Sequence, residues 1–303
     1  MLLSKLSHNI LRCFQKNCKV SFCVIFPSME SDQLQQKVHV SFLMIGCQRS
    51  GTTWTDAALR THPEIFLPEK KQSYFFDKNY SNGIDWYLER FQAAQPKHKA
   101  IGEVATGYCL LDAIPLMAKH LPDCKLMMVM RNPIDRAYSN YQSRQVEEGW
   151  SNFEEALESE PDLLERGHYI DQIECLMEHY IRENVLFLLY DDLSDSDTSY
   201  IHSVYSFLGV NCSVATKMIG QRKNAAMFPT LRKWLHQCGL KSIVTLLSKS
   251  RVGDTVRRSR KSKGRAYQPM NQKTKERLVN HFAPYNKRLS LFLNRDLSAW
   301  NEQ

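Results

Sequence analysis

A chain of 303 residues is long enough to bury a large core, and a hydrophobic fraction of 43% indicates a globular rather than a disordered protein. The formal net charge of +8 favours an anionic ligand or partner, without distinguishing a nucleotide from a glycan, a membrane surface or a nucleic acid. Nine cysteines without paired short spacings are typical of free, mostly buried thiols in a reducing compartment, and no Cys-x-x-Cys or His-rich set indicates a metal site.

The first 36 residues predict a poorly ordered N-terminal extension, so the folded domain is expected to cover residues 37–303. The segment is basic and only patchily apolar, and its longest apolar run, Val20 to Phe26, is interrupted by Ser21. Such a run is far too short to cross a bilayer, and neither an apolar region of signal-peptide length nor a clear cleavage site is present. An anchor at a membrane surface is the alternative for this segment.

Four short apolar runs predict buried strands, at residues 38–45, 100–104, 125–130 and 184–190. Helical patterns lie between and after them, over residues 51–61, 83–91, 110–120, 134–144, 153–157, 168–180, 198–208, 231–247, 271–282 and 284–293. Strands that alternate with helices indicate a largely parallel sheet. We therefore predict an α/β fold with a central, mostly parallel sheet flanked by helices.

A glycine-bounded loop follows the first predicted strand. It reads GCQRSGTT over residues 46–53, and a helical pattern follows it directly. Inward-pointing loop amides and the dipole of a helix N-terminus together favour an anion. The glycine spacing is similar to that of a Walker A loop, but Thr52 stands where that loop has lysine, and Arg49 supplies a cation three residues earlier. The segment predicts a site for a phosphate-type ligand, with an ordinary strand-to-helix turn as the alternative.

Two charged residues fall at the carboxyl ends of later predicted strands. Glu103 lies near the end of strand 100–104, Arg131 directly follows strand 125–130, and Ser139 lies about two turns into the next helix. Open α/β sheets bind ligands at the edge formed by the carboxyl ends of their strands. These residues are therefore candidates for a ligand site at that edge.

Four separated segments carry a resemblance to a known family. They are IGCQRSGTTW at residues 45–54, RNPIDRAYSNY at 131–141, SKGRAY at 262–267, and the pair PEKKQSYFFD and GIDWYLERF between the first two. They resemble the sulfotransferases that use 3′-phosphoadenosine 5′-phosphosulfate (PAPS), and most of all the heparan-sulfate-type and bacterial carbohydrate branch. The likeness runs from about residue 38 to residue 300. It implies a P-loop-like, three-layer fold and PAPS as the sulfuryl donor.

The resemblance assigns contacts with the cofactor residue by residue. Arg49 would contact the phosphosulfate bridge and the leaving phosphate, while Arg131 and Ser139 would bind the 3′-phosphate. Amides and hydroxyls of the loop would hold the 5′-phosphate, and the late motif would close over the nucleotide. The full predicted set is Arg49, Ser50, Gly51, Thr52, Thr53, Trp54, Arg131, Ser139, Lys263, Gly264 and Arg265. A solvated or nucleic-acid-binding face is the alternative for the basic stretch around Lys263.

The general base does not stand where many family members have it. Those members carry Lys-Glu before the aromatic run, where this chain has Lys71-Gln72, and a neutral amide cannot take the acceptor's proton. Glu103, which matches the glutamate of a family G-E-x-x-x-x-Tyr segment, is the first candidate for the base, and His168 is the second. Val104 replaces the lysine that heparan-type enzymes often have after this glutamate, which argues against a heparan-like acceptor. The predicted catalytic set is Arg49, Lys71, Glu103 and His168, with Lys70 and Lys71 as candidates to stabilise the leaving group or bind an acidic acceptor.

The resemblance implies an enzyme that moves a sulfuryl group from PAPS, by in-line displacement, to a hydroxyl or amine of a carbohydrate or small-metabolite acceptor. No metal is expected, because side-chain cations would neutralise the phosphosulfate, and no nucleic-acid partner or membrane span is expected. A cytoplasmic location is predicted. The alternatives are a P-loop nucleotide-dependent kinase with Asp191-Asp192 as its candidate magnesium ligands, a non-catalytic nucleotide- or glycan-binding relative, and a nucleic-acid binder.

Overall fold

A computed structural model describes residues 39–220 and 270–301 of the chain. The extension predicted at residues 1–36, the boundary at residue 37 and the helix predicted at 231–247 lie outside the described residues. The same is true of the nucleotide-covering residues Lys263, Gly264 and Arg265.

The described residues form one parallel sheet of five strands, which confirms the predicted fold class. The strands are β1 (Phe42–Gly46), β2 (Ile65–Phe66), β3 (Ala100–Val104), β4 (Lys125–Met130) and β5 (Val185–Leu189). Their order across the sheet is β2-β3-β1-β4-β5, and every neighbouring pair is parallel. The sequence patterns missed β2, because a strand of two residues is too short to show a periodicity.

The helices that flank the sheet agree with most of the predicted ones. They are α1 (Thr52–Leu59), α2 (Phe75–Lys78), α3 (Ile84–Leu88), α4 (Ala113–His120), α5 (Pro133–Glu148), α6 (Phe153–Ser159), α7 (Asp162–Glu165), α8 (Tyr169–His179), α9 (Tyr190–Asp195), α10 (Asp197–Leu208) and α11 (Gln272–Leu293). Short 3₁₀ turns cover Tyr80–Asn82, Glu89–Phe91, Arg182–Asn184 and Ser298–Asn301.

The prediction of two separate closing helices, at 271–282 and 284–293, was wrong, because these residues form the single helix α11. Pro284 lies inside it. A proline removes one backbone hydrogen bond and crowds the preceding turn, which is why the sequence suggested a break. Phe282 and Leu289 are buried on either side of the proline, so packing on the body of the domain holds both halves of α11 on one path.

Side chains of the central strand alternate between two cores, one on each face of the sheet. Leu43 and Ile45 pack in the core that includes residues of α4 and α8, whereas Phe42 and Met44 pack in the core that includes residues of α1 and α10. A third cluster joins α5, α6 and α7 to α11. The arrangement is a three-layer α/β fold of the P-loop-like kind.

Strand order defines where a ligand can bind. After β1 the chain forms β2 and β3 on one side of β1, and then β4 and β5 on the other side. In open α/β sheets the crevice at such a reversal, outside the carboxyl ends of the strands, is where ligands bind. The loop after β1 and the residue after β4, Arg131, both lie at this edge. Within the described helices, none has the length and apolar character needed to cross a bilayer.

Candidate functional site

The loop between β1 and α1 presents backbone amides that make no hydrogen bond to the described part of the chain. Gly51 adopts a left-handed conformation with φ of 87°, and α1 begins at Thr52 without a side-chain cap. Among the hydrogen bonds of the described residues, none uses the backbone N–H groups of Gly51, Thr52 or Thr53. Unpaired amides at the start of a helix bind anions, because the N–H groups and the helix dipole both favour negative charge.

A buried hydroxyl in the same loop also lacks a partner within the described chain. Ser50 is fully buried, and its Oγ makes no hydrogen bond there. Buried polar atoms are nearly always satisfied in folded proteins, so an unsatisfied one needs an explanation. A phosphate or sulfate oxygen would accept from Ser50 Oγ and from the neighbouring amides. This donor set therefore fits the 5′-phosphosulfate end of PAPS.

The two motifs that stand 82 to 90 positions apart in the chain meet at this edge. Arg49 Nε donates to Ser139 Oγ at 3.0 Å, and Arg131 Nη1 donates to the Arg49 carbonyl at 3.4 Å. A further bond joins Asn140 Nδ2 to Gln48 Oε1 at 3.2 Å. The predicted 5′ and 3′ groups thus form one continuous surface, and the Gln48–Asn140 bond is a tie that the sequence did not indicate.

Arg131 is positioned by the helix that follows it, α5, and by Tyr190 at the start of α9. Asn132 caps α5 by accepting from the Ile134 and Asp135 amides, and Pro133 occupies the first helical turn, so the strand ends sharply at Arg131. The guanidinium lies over the Tyr190 ring, 5.0 Å from its centroid, and 3.6 Å from an Asp135 carboxylate oxygen. These contacts hold the Arg131 side chain beside the loop.

Lys71 reaches the loop from the segment before α2. Its Nζ lies 3.3 Å from Thr53 Oγ1 and 3.5 Å from Thr52 Oγ1. Burial of the ammonium lowers the pKa of Lys71 to about 8; Asp56 opposes this shift, and Arg60 adds to it. The structure thus brings a partly buried cation to the helix N-terminus, at the place where a Walker A loop would present its own lysine.

Glu103, predicted as the base, is instead fully buried beneath this segment. Its carboxylate accepts from the Ser73 amide, from Ser73 Oγ at 3.0 Å and from the Tyr108 hydroxyl at 3.2 Å. Burial raises the pKa of Glu103, and the hydrogen bonds from Ser73 oppose this. A carboxylate enclosed by three donors cannot meet an acceptor in the crevice, so the structure argues against the base and favours a positioning role.

Gln72 is held by two further hydrogen bonds, both from Thr106. Its Oε1 accepts from the Thr106 amide at 3.1 Å and from Thr106 Oγ1 at 3.2 Å. Hydrogen bonds to Glu103 and from Thr106 therefore fix residues 72 and 73. These bonds position the neighbouring Lys71 beside the loop. The sequence pattern does not reveal the bonds that Ser73 and Thr106 make, because their partners Glu103 and Gln72 lie 30 and 34 positions away.

Two other predicted site residues have packing roles. Trp54 is buried against α10; its backbone amide donates to Gly51 O at 2.9 Å and its indole N–H to Met218 O at 3.1 Å. His168 pairs with His281 at 2.9 Å and stacks on Tyr285 of α11. The structure therefore argues against Trp54 as a ligand contact and against His168 as the base, since their polar groups are engaged within the protein.

Replacing Glu103 by alanine is expected to lower the free energy of unfolding by about 2–4 kcal/mol, because the Ser73 and Tyr108 donors lose their buried acceptor. Glu103→Gln keeps the shape and one acceptor oxygen and is expected to cost about 1 kcal/mol. Denaturant unfolding measures both free energies. As a control, replacing the exposed Glu158 by alanine is expected to change the free energy of unfolding by less than about 0.5 kcal/mol. A Glu103→Gln variant of normal stability but without turnover would restore Glu103 as the base.

Comparison with known proteins assigns the chain to a family. A family model described as a sulfotransferase domain matches residues 40–283. The chain is similar in sequence to the membrane-associated sulfotransferase kil1 of Dictyostelium discoideum, at 25% identity over 86% of this chain and 66% of that protein. It is also similar to the bifunctional heparan sulfate N-deacetylase/N-sulfotransferase 4 of Mus musculus, at 28% identity over 86% of this chain and 31% of that protein. The chain thus spans less than a third of the mouse relative's length.

A solved structure supports the fold. A sulfotransferase from Alicyclobacillus acidocaldarius superposes with a TM-score of 0.66 at 22% sequence identity, covering 88% of this chain and all of that one. At this level of identity the match supports the fold alone and says nothing of the substrate.

Proposed function

The chain belongs to the sulfotransferase domain family, and from this premise we propose that it transfers a sulfuryl group from PAPS to a hydroxyl or amine of a carbohydrate or small-metabolite acceptor. The observation that carries the proposal is the contact between the two anion-binding motifs, in which Arg49 donates to Ser139 and Arg131 donates to the Arg49 carbonyl. A ligand with an anionic group at each end is what such a pair of adjoining sites suits.

The loop would hold one end of PAPS and the helix α5 would hold the other. Ser50, Thr52 and Thr53 with the unpaired loop amides fit the 5′-phosphosulfate, and Arg131 with Ser139 fits the 3′-phosphate. Lys263, Gly264 and Arg265 stay a predicted cover for the nucleotide. Bound PAPS supplies the sulfuryl group and a nucleotide phosphate as the leaving group.

The chemistry assigned to this chain is mainly positioning and charge stabilisation. Arg49 and Lys71 place two cations at the loop, where negative charge grows on the leaving phosphate during transfer. Cations preorganised in a partly buried site act there more strongly than in water. The bonds from Glu103 and Thr106 keep the segment that carries Lys71 in place before the nucleotide arrives.

The kinase alternative is weakened by the positions of its candidate metal ligands. Asp192 pairs with Arg295 at 2.7 Å and accepts from the Leu189 amide, while Asp191 accepts from the Trp300 indole N–H at 3.1 Å. Both carboxylates therefore bind groups at the start of α9 and in the C-terminal segment.

The non-catalytic alternative rests on Gln72, and the turnover test described next distinguishes it from an active enzyme. The cytoplasmic location stays a prediction.

Calorimetric titration with adenosine 3′,5′-bisphosphate and with ATP, each with and without magnesium, tests the cosubstrate. We expect micromolar binding of the bisphosphate without magnesium and much weaker binding of ATP. Preference for ATP with magnesium would favour the kinase. Release of the bisphosphate from PAPS in the presence of N-desulfated heparan, a glucosamine oligosaccharide or a simple phenol then tests turnover, and binding without turnover on any acceptor would favour the non-catalytic relative.

A further inference from the structure

A pair of buried thiols lies directly beneath the nucleotide loop. Cys47 follows the last residue of β1, and Cys109 lies in the segment between β3 and α4; they are 1% and 2% exposed. The two thiols share a hydrogen bond, and the Cys109 amide donates to the Ile45 carbonyl at 2.9 Å. A Cβ on Gly46 would lie 2.6 Å from Cys109 Sγ, so the glycine is what allows this close approach.

An incompletely bonded arginine faces the same pair. Arg136 of α5 is fully buried; its Nη2 donates to the Leu163 carbonyl, whereas Nε and Nη1 have no hydrogen-bond partner among the described residues. A buried guanidinium without a counter-ion is costly, because burial removes the hydration that stabilises the charge. The geometry therefore calls for an anion near Arg136.

Among the described residues, four ionisable groups interact with Arg136. They are the Cys47 and Cys109 thiols, the Tyr169 phenol and Arg166, which is itself paired with Asp162 at 2.6 Å. Burial raises the pKa of Tyr169, so the phenol stays neutral. The hydrogen bond from Cys47, together with Arg166 and Arg136, lowers the pKa of Cys109, while burial raises that of Cys47. Cys109 is thus the acidic group near Arg136 whose pKa is lowered, with Cys47 as its hydrogen-bond donor, and it is the candidate counter-ion.

We propose that Cys47 and Cys109 are an oxidisable dithiol, and that their disulfide disables the nucleotide loop. With hydrogen peroxide as oxidant, the Cys109 thiolate attacks one peroxide oxygen, the O–O bond breaks, and a sulfenic acid forms as hydroxide leaves. That hydroxide takes the Cys47 proton and becomes water. Cys47 then attacks the sulfenic sulfur, the S–O bond breaks, and the departing oxygen takes up a proton to leave as a second water. The two thiols lose two electrons to the peroxide, and a reducing dithiol reverses the change.

The disulfide would act on the loop through distance and charge. A disulfide holds its sulfurs about 2.05 Å apart, closer than two hydrogen-bonded thiols. Cys47 must therefore shift toward Cys109. The shift also moves the adjacent Gln48, which accepts the hydrogen bond from Asn140 that connects the loop to α5. Oxidation also removes the ionisable thiol of Cys109, whose pKa Arg136 helps to lower. The effect on nucleotide affinity rests on the proposed function, whereas formation of the disulfide does not.

Binding and oxidation are then coupled in both directions. If the disulfide form binds the nucleotide more weakly, linkage requires that bound nucleotide opposes disulfide formation to the same extent. The nucleotide would also shield the thiols, because both are buried and a peroxide must reach them by displacing the loop. Saturating adenosine 3′,5′-bisphosphate is therefore expected to slow oxidation of this pair.

The test compares the purified full chain before and after treatment with hydrogen peroxide, and after re-reduction with dithiothreitol. We expect peptide mapping under non-reducing conditions to find a link between Cys47 and Cys109, and calorimetry to show at least tenfold weaker binding of the bisphosphate, restored by dithiothreitol. Absence of the link, or equal affinity of the linked and reduced forms, overturns the proposal. If the reduced chain binds no bisphosphate, the proposed function fails, and the mapped link alone decides the dithiol.

Two variants sharpen the result. Cys124 is equally buried but donates to the Lys125 carbonyl rather than to a thiol, so Cys124→Ala is expected to keep the full response to peroxide. Cys109→Ser removes one partner and is expected to abolish the peroxide-induced loss of affinity. A Cys109→Ser chain that loses affinity as the wild type does would overturn the pair, and if this variant does not fold, the wild-type mapping decides.

Discussion

Replacing Arg49 by alanine is expected to weaken the binding of adenosine 3′,5′-bisphosphate about 30- to 100-fold. Hydrogen bonds to charged groups contribute about 1.5–3 kcal/mol, and the change removes both a cation at the loop and the Arg49–Ser139 contact between the motifs. Arg49→Lys keeps the charge but not the planar donor group, so it is expected to recover only part of the affinity. Calorimetric titration without magnesium measures all three proteins.

Arg288→Ala is the matched control for this prediction. It removes the same charge from an exposed arginine of α11 that pairs with Asp171 and Glu174 of α8. Affinity within about twofold of the wild type is expected, because the charge lies on the surface and is screened by salt. Wild-type affinity in Arg49→Ala would mean that the nucleotide does not bind at this loop. An equal loss of affinity in Arg49→Ala and Arg288→Ala would mean that the net charge of the protein, and not a contact at the loop, causes the effect.

Replacing Lys71 by methionine is expected to lower the rate of sulfuryl transfer about 100- to 1000-fold. Lys71 stands 3.3 Å from Thr53 Oγ1 at the start of α1, where charge on the leaving phosphate needs stabilisation, and loss of one preorganised donor typically costs a factor of this size. Lys70→Met is the matched control, since its exposed side chain belongs to the neighbouring position. PAPS turnover with the acceptor that supports the highest rate is the measurement. Equal rates for the two variants would remove Lys71 from the transfer step.

The same lysine predicts a pH dependence of nucleotide binding. Burial lowers the pKa of Lys71 to about 8 in the free protein, so the side chain is charged below that pH and loses its charge above it. An anionic nucleotide favours the charged form. Affinity is therefore expected to be flat below about pH 7 and to fall above pH 8, by up to about tenfold per pH unit, with proton uptake on binding. Lys71→Met should abolish this slope, and a slope that persists in the variant would assign the titration to another group.

Short-range sequence patterns explain why much of the candidate site could be predicted from the sequence. The continuous apolar runs of β1, β4 and β5 and the glycine-bounded loop after β1 are short-range patterns, and each has one favourable solution in an α/β fold. Asn132 and Pro133 fix the end of β4 and the start of α5 within a few residues. Family motifs then placed Arg49, Arg131 and Ser139, and the structure brings these three together.

Where the structure departs from the predictions or adds to them, the deciding contacts are remote in the chain. Pro284 marks a break locally, yet packing on both sides of it keeps α11 continuous. Trp54 and His168 sit in or beside suggestive motifs, but their polar groups are used by Met218 and His281, 164 and 113 positions away. No pattern within a few residues reveals partners at such separations.

The sequence by itself determined the parallel α/β fold, the glycine-bounded loop after β1 and the strand ends at which Arg49 and Arg131 lie, since each depends on neighbouring residues. Only the tertiary structure decided the face on which Glu103 lies. Glu103 pairs in register with Leu43 of β1, and that side of the sheet is filled by the core beneath α4 and α8. Successive residues of a strand point to opposite faces, so strand pairing decided whether this carboxylate met a substrate or the interior.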